Sequence, residues 1–210
     1  MNVMAIDIGL NNFICAANNI GKPPFIIKGG RLKNINGEYN RKKLSCGYRE
    51  RKRLFDRRSR DIKHFFHIAI KYIIDFAKDN NIAVIVIGKI NNWEHRFGKN
   101  DICYDFEFIP IKWFTDKLKA NCRKNNIKIK LINEKFTSGT SFMDNEKVNG
   151  RFYDKSRRQN GIFKTSVGAD INADVNDSYQ IMRKAYPNIQ YDETFLTEPI
   201  ILDWDDIDIF

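Results

Sequence analysis

The chain has 210 residues, a formal net charge of +10 and a hydrophobic content of 42%. This length suits one domain with an insertion, and the hydrophobic content is too high for a disordered chain. Its four cysteines form no C-x-x-C pair, which argues against a zinc site and a disulfide framework. Because the sequence has no signal peptide and no apolar run of the ~20 residues that a membrane helix needs, we expect a cytoplasmic protein without a membrane partner.

The positive charge is concentrated in one stretch and indicates a polyanionic partner. Residues 31–63 contain thirteen Lys and Arg, whereas residues 188–210 contain seven acidic residues and no Lys or Arg. We therefore predict an acidic C-terminal tail at 188–210 and phosphate contacts from the basic stretch. The residues predicted to bind nucleic acid are Arg41, Lys42, Lys43, Arg51, Arg53, Arg57, Arg58 and Arg60, with Trp93, Phe97 and Tyr104 as candidates for stacking on bases.

Hydrophobic periodicity predicts the elements in chain order. Strands are expected at 3–8, 13–17 and 24–27, and the short turn between the first two implies an antiparallel start. An amphipathic helix follows over 62–77, then a continuous apolar strand at 83–87 that is typical of a parallel sheet. The remaining expectations are a helix at 111–122, a strand at 127–132, a long polar insertion or mobile segment at about 135–170 and a last helix at 173–185.

This order is that of a ribonuclease H-like α/β fold: a mixed sheet flanked by helices, with an insertion before the last helix. The predicted domain is 1–187, followed by the tail. Nucleases of this fold need three or four carboxylates around two divalent cations. Asp7 interrupts the apolar run of the first strand, and a charge there is costly unless it is paired or binds a metal. Asp174, at the start of the last helix, is the second candidate ligand. Its alternative role is to cap the N-terminus of that helix. We expect Asp170 and Asp177 to be solvated.

The third carboxylate has no obvious position in the sequence. It is expected at the end of the strand 83–87, where Gly88 stands instead. Glu134 follows the strand 127–132, and if the two strands are neighbours their ends lie about 5 Å apart. We therefore prefer Glu134 to Glu94, a loop residue; if neither reaches the metal, the site is inactive.

Several short motifs occur in order along the chain. They are AIDIGLNN at 5–12, GGRLKNIN at 29–36, YNRK at 39–42, RRSRDIK at 57–63 with His67, IVIGKINNW at 85–93, EKFTS at 134–138 and INADVN at 171–176. In this order and at this spacing they resemble the RuvC nuclease domain of the TnpB family, the transposon-encoded relatives of compact type V CRISPR effectors. The match covers nearly everything from Asp7 to about Lys184. The segment Glu134-Lys135-Phe136-Thr137-Ser138 resembles a branch of the family in which the glutamate has moved to this strand, leaving Gly at position 88.

The resemblance implies an Mg²⁺-dependent, RNA-guided DNA endonuclease that hydrolyses phosphodiesters with two ions, for which Mn²⁺ can substitute. Asp7, Glu134 and Asp174 would be its metal ligands. Family members carry a four-cysteine zinc segment after the Thr-Ser motif, but residues 139–145 contain no cysteine, so we expect no zinc. The partners implied are guide RNA, target DNA, and a second protein subunit or a homodimer in place of the family's N-terminal half.

Two other functions remain open at this stage. The absence of an acid at Gly88 is also consistent with a catalytically inactive, RNA-guided DNA-binding protein, such as a repressor. A stand-alone, structure-selective DNA nuclease that acts as a dimer without RNA is the third reading.

Overall fold

The computed structural model describes residues 1–89, 109–192, 194, 196 and 198–207. Trp93, Glu94, Phe97 and Tyr104 lie outside the described residues. The central feature of the described part is a six-stranded sheet. Its strands are β1 (Val3–Ile8), β2 (Asn12–Asn18), β3 (Phe25–Lys28), β4 (Val84–Lys89), β5 (Lys128–Asn133) and β9 (Ile200–Leu202). Their order across the sheet is β5-β4-β1-β2-β3-β9.

Both antiparallel and parallel pairs occur in this sheet. The pairs β1–β2 and β2–β3 are antiparallel, which confirms the predicted start of the fold. The strand β4 lies between β1 and β5 and is parallel to both, as its continuous apolar sequence predicted. Gly88 on β4 is paired with Ile132 on β5, so the ends of these two strands are neighbours. The predicted mixed α/β architecture is therefore confirmed.

Helices cover both faces of the sheet. They are α1 (Gly30–Lys43), α2 (Tyr48–Asp79), α3 (Ile111–Lys124), α4 (Ala173–Ala185) and the short α5 (Trp204–Ile207). None of the helices in the described ranges is both long enough and apolar enough to cross a lipid bilayer. The helices α1, α2, α3 and α5 contribute to a core on one face, and α4 contributes to a second core on the other.

The alternation of side chains along β1 decides which residue meets which helix. Met4 and Ile6 belong to the core under α2 and α3, whereas Val3 and Ala5 belong to the core under α4. Asp7 continues the second series and therefore faces α4. The position of this carboxylate thus follows from the period of the strand.

The basic stretch forms two packed helices, where the sequence predicted only the second one. The 32-residue helix α2 has its predicted apolar stripe, and α1 packs along its first half. Arg58 is 6% exposed, donates a hydrogen bond of 2.6 Å from Nε to Asn36 Oδ1, and lies over the ring of Tyr39. Since the guanidinium joins α1 to α2, Arg58 is part of the helix packing and not of the exposed basic surface, which corrects its predicted role.

Residues 135–170 are held in place by the side chains of α4. Asn176 accepts a hydrogen bond of 2.8 Å from Phe142 N and donates one of 2.9 Å to Thr140 O. The ring of Phe142 stacks on Tyr179, with 4.6 Å between centroids. The segment also contains the strands β6 (Arg158–Gln159) and β7 (Ile162–Lys164), which form a small antiparallel sheet with β8 (Asp170–Asn172).

A cluster of ion pairs stabilises the same segment. Arg157 donates to Asp144 at 2.5 Å and to Glu146 at 2.7 Å, and its guanidinium lies over the ring of Phe163. All three charged side chains are mostly buried, so screening by water is weak. The segment is therefore organised by hydrogen bonds and ion pairs among its own residues and α4.

The acidic segment 188–210 contributes to the main sheet. Its strand β9 pairs in parallel with β3, with Ile201 opposite Ile26. The ring of Trp204 stacks on Phe65 of α2 and lies under the guanidinium of Arg31. Residues 200–207 are thus attached to the domain through a strand and a buried aromatic contact.

Candidate metal centre

Three carboxylates converge where β1 meets α4. One oxygen from each of Asp7, Asp174 and Asp177 lies within 4.8 Å of the others. Asp7 and Asp174 are half-buried and Asp177 is 5% exposed. The structure therefore brings together two of the three predicted ligands and adds one that was not predicted.

Local sequence explains how α4 presents its two carboxylates. The side chain of Asn172 caps the helix by accepting hydrogen bonds from Asp174 N at 3.0 Å and Val175 N at 3.2 Å. Asp174 is therefore not the cap and lies in the first turn, and Asp177 follows on the same face at a spacing of three residues. The expectation that Asp177 is solvated was wrong. Its helical spacing from Asp174 was the signal in the sequence that could have shown this.

Glu134 lies beside Gly88, at the paired ends of β4 and β5. A Cβ atom added to Gly88 would lie 2.7 Å from Glu134 Cγ, 2.8 Å from Cδ and closer still to Oε1. The carboxylate thus occupies the space that any larger residue at position 88 would fill. Its negative charge also raises the pKa of Asp7, so the two carboxylates interact electrostatically.

The cluster is electrostatically unfavourable for carboxylates without a cation. Burial raises the pKa of Asp7 well above its ordinary value, and the like charges of Asp177, Glu134 and Asp174 raise it further. Burial also raises the pKa of Asp177 to about 6, although Arg158 opposes this shift. Perturbed carboxylates of this kind concentrate at functional sites because a bound cation or a proton is needed to offset their repulsion.

Arg158 supplies a positive charge to the two carboxylates of α4, and sequence reasoning missed it. Its Nη2 donates to Asp174 Oδ1 at 2.5 Å, and its Nη1 donates to Asp177 Oδ2. The other oxygen of Asp174 accepts a hydrogen bond of 2.6 Å from Asn12 Nδ2. Asn12 in turn accepts one of 3.0 Å from the Lys28 ammonium group. Both oxygens of Asp174 are therefore engaged by protein donors.

The donor set fits a hard divalent cation. Carboxylate oxygens are the ligands that Mg²⁺ and Mn²⁺ prefer. In addition, Asp177 Oδ1 is buried and has no hydrogen-bond partner within the described part of the chain, which is unusual for a charged oxygen. Asp7, Asp174 and Asp177 are therefore the residues that could hold such an ion. The predicted ligand Glu134, which follows β5, is not one of the three carboxylates within 4.8 Å of one another, but it is close enough to raise the pKa of Asp7.

The predicted basic nucleic-acid residues, all in α1 and α2, lie on the outside of this helix pair, with one exception. The side chains of Arg41, Lys42, Arg51, Arg53, Arg57 and Arg60 are exposed, Lys43 is half-buried and Arg58 is buried. Tyr48 is 84% exposed and Leu44 82% exposed at the junction between the helices. The result is a basic surface with exposed apolar side chains at one end.

Comparison with known proteins gives a match to a family and matches to solved structures. Residues 1–94 match the model of the OrfB_IS605 family, described as a probable transposase. No curated protein sequence matches the chain. The fold is similar to that in a cryo-EM structure of a Cas12f1-sgRNA-target DNA complex, with a TM-score of 0.68 and 17% identity over 90% of this chain. A cryo-EM structure of a CRISPR-Cas12f ternary complex gives a TM-score of 0.67 and 19% identity over 91% of this chain.

The chain spans 50% and 40% of the two Cas12f chains. At these identities the similarity to Cas12f is one of fold. The family match, by contrast, is a match of sequence, and it covers β1 and therefore Asp7. The resemblance to the TnpB family that the motifs indicated is thus confirmed by the family model over residues 1–94, on a fold shared with Cas12f.

Proposed function

We propose that this chain is the RuvC nuclease portion, with a ribonuclease H-like fold, of a TnpB-like, RNA-guided DNA endonuclease. The observation that carries the proposal is the convergence of Asp7, Asp174 and Asp177 where β1 meets α4, in a chain whose fold is shared with Cas12f. Residues 1–187 form the nuclease domain in this proposal, residues 135–170 its insertion and 188–210 its acidic terminus. We propose further that it acts in the cytoplasm.

In the proposed reaction, Asp7, Glu134 and Asp174 would hold Mg²⁺ or Mn²⁺, together with Asp177. When bound, two such ions supply an activated water and stabilise the leaving oxygen of a phosphodiester. The protein positions the carboxylates: β1 presents Asp7 towards α4, and the cap at Asn172 fixes the first turn that carries Asp174. The absence of a side chain at Gly88 gives Glu134 room to approach the same edge. No zinc is part of this proposal.

The basic surface of α1 and α2 is the proposed binding site for guide RNA and target DNA. Arginine and lysine contacts to phosphates give affinity that falls with salt but little sequence choice. In an RNA-guided enzyme, base pairing with the guide supplies the specificity. One structure of similar fold is described as a Cas12f1-sgRNA-target DNA complex, which supports these partners. A second subunit, or a second copy of the chain, completes the proposed assembly.

The first experiment recovers the complex and tests the metal ligands in it. Tagged protein is purified from its host, the bound RNA is sequenced, and the bound protein is identified by mass spectrometry. The complex is then tested for Mg²⁺-dependent cleavage of DNA that matches the guide. Loss of a metal ligand should reduce cleavage by more than about 100-fold, since even supporting residues of metal sites cost 10–100-fold.

Asp174→Asn is the test variant and Asp170→Asn the matched control. Asp170 lies on β8, is exposed, and is only four residues before Asp174. We expect Asp174→Asn to abolish cleavage without loss of RNA or DNA binding, and Asp170→Asn to behave as wild type. Equal cleavage by wild type and Asp174→Asn would refute the proposed nuclease site.

The contacts of Arg158 favour one alternative function, a catalytically inactive RNA-guided DNA-binding protein. The guanidinium already forms ion pairs with Asp174 and Asp177 and so competes with a divalent cation for these carboxylates. For such a protein, the wild-type complex would bind matching DNA and cut it no faster than the Asp174→Asn complex. The same cleavage assay therefore decides between the two functions.

A further inference from the structure

Arg158 lies on a short hairpin next to the carboxylate cluster. The hairpin consists of β6 and β7, which pair through only two residue pairs, Arg158–Phe163 and Gln159–Ile162. Its turn is Asn160-Gly161, with positive φ angles of 51° and 81°, the sequence and conformation of a tight two-residue β-hairpin. The neighbouring strand β8 leads directly into α4. The hairpin is thus attached beside the helix that carries Asp174 and Asp177, but its own pairing is short.

The guanidinium binds the two carboxylates of α4 through separate nitrogens. Nη2 contacts Asp174 and Nη1 contacts Asp177. The Arg158 side chain is 32% exposed, whereas the side chain of Asp177 is only 7% exposed. The positive charge therefore enters the cluster from the solvent side and lies against a carboxylate that is itself almost inaccessible.

These contacts occupy oxygens that a divalent ion would use. Asp174 Oδ1 is bound by Arg158 and Asp174 Oδ2 by Asn12, so a metal ion at Asp174 has to displace or crowd a protein donor. A cation within about 4 Å of the guanidinium would also be repelled by it, and the repulsion is stronger in a partly buried site than in water. The Asp7 side of the cluster differs, because no ion pair between Arg158 and Asp7 occurs within the described residues.

We propose that the Arg158 guanidinium is an internal cation that takes the place of one divalent ion on the Asp174–Asp177 side of the cluster. This inference rests on the metal centre proposed above and adds the order in which its two divalent ions bind. Asp7 and Glu134 would hold a first ion while the hairpin is in place. Asp174 and Asp177 would be available to a second ion only after Arg158 has left them, which makes the β6–β7 hairpin a switch between a half-filled and a filled centre.

The test counts Mn²⁺ ions bound to the full chain, without nucleic acid, by titration followed by electron paramagnetic resonance and calorimetry. Wild type should bind one Mn²⁺ and a second one much more weakly. In Arg158→Gln the second ion should bind at least about tenfold more tightly, since hydrogen bonds to charged groups are each worth roughly this much or more. Arg158→Lys keeps the charge but cannot engage two carboxylates through one planar group, so its second-site affinity should lie between the two.

The matched control is Arg151→Gln, an exposed arginine of the same segment whose guanidinium lies over Phe152. Circular dichroism and thermal melting establish that each variant is folded. If Arg158→Gln does not fold, Arg158→Lys still tests the proposal. Two ions bound equally well by wild type, Arg158→Gln and Arg158→Lys would overturn the role of Arg158 but leave the metal centre intact. If neither wild type nor the variants bind Mn²⁺, or if Asp7→Asn binds it as tightly as wild type, the metal centre itself is refuted.

Discussion

Replacing Gly88 with alanine tests the packing of Glu134 against β4, next to the proposed metal centre. The new Cβ would lie 2.7 Å from Glu134 Cγ and 2.8 Å from Cδ, and closer still to Oε1. Rotation of the terminal carboxylate alone does not relieve this overlap, because Cγ is part of it. Carbon atoms in favourable contact are about 3.5–4.0 Å apart, so the Glu134 side chain must move by about 1 Å.

The expected destabilisation follows from the cost of overpacking. Extra methyl groups in well-packed sites cost about 1–3 kcal/mol of the free energy of unfolding. In a domain of this size each kcal/mol lowers the melting temperature by roughly 2–4 °C. Gly88→Ala should therefore lower it by roughly 2–12 °C. Since Glu134 is displaced, the affinity for Mn²⁺ should fall as well.

A double-mutant cycle with Glu134→Ala isolates the clash. In the Glu134→Ala background the space beside residue 88 is empty, so adding Gly88→Ala should cost little or should stabilise the strand by a few tenths of a kcal/mol. Gly30→Ala is the control glycine, because a Cβ there meets no atom within 4 Å. If Gly88→Ala lowers the free energy of unfolding by the same amount in both backgrounds, the close approach of Glu134 is not the reason for glycine at this position. Urea denaturation at equilibrium measures all four free energies.

Other variants test the buried charges and the basic surface. Burial raises the pKa of Asp177 from its ordinary 3.8 to about 6, so the folded state holds this proton more tightly than the unfolded chain. The contribution of Asp177 to the free energy of unfolding of the metal-free protein therefore decreases as pH rises from about 4 through 6. The difference in melting temperature between wild type and Asp177→Asn should be smaller at pH 4 than at pH 7. Asp7→Asn should raise the metal-free melting temperature at pH 7, because burial and like charges disfavour the ionised Asp7; a lower value would contradict this electrostatic argument. Arg58→Ala should cost about 2–4 kcal/mol in urea denaturation, since Asn36 loses a buried charged donor. Arg53→Gln should weaken nucleic-acid binding at every sequence tested and reduce the salt slope by about 0.9 if it contacts one phosphate.

Much of the architecture is readable from the sequence because it depends on local periodicity. The strand at 3–8 and the helix at 173–185 have the predicted bounds, since an alternating or continuous apolar pattern and a helical stripe each need only neighbouring residues. The same local patterns point to Asp7 as a charge inside a strand and to Asp174 in the first helical turn. The separate helix α1 was missed because its basic, polar sequence has a weak apolar face and relies on packing against α2.

Only the tertiary structure decides which charged groups meet. Asp177 becomes part of the cluster because α4 packs against β1, and Arg158 reaches it across 19 residues of chain. Arg58 looks like its exposed basic neighbours in sequence but is buried because α1 folds over it. Glu134 meets Gly88 because β4 and β5 are parallel neighbours in register. Local sequence sets the elements and their faces, whereas the pairing of distant charges depends on the free energy of packing whole elements together, which no short stretch of sequence contains.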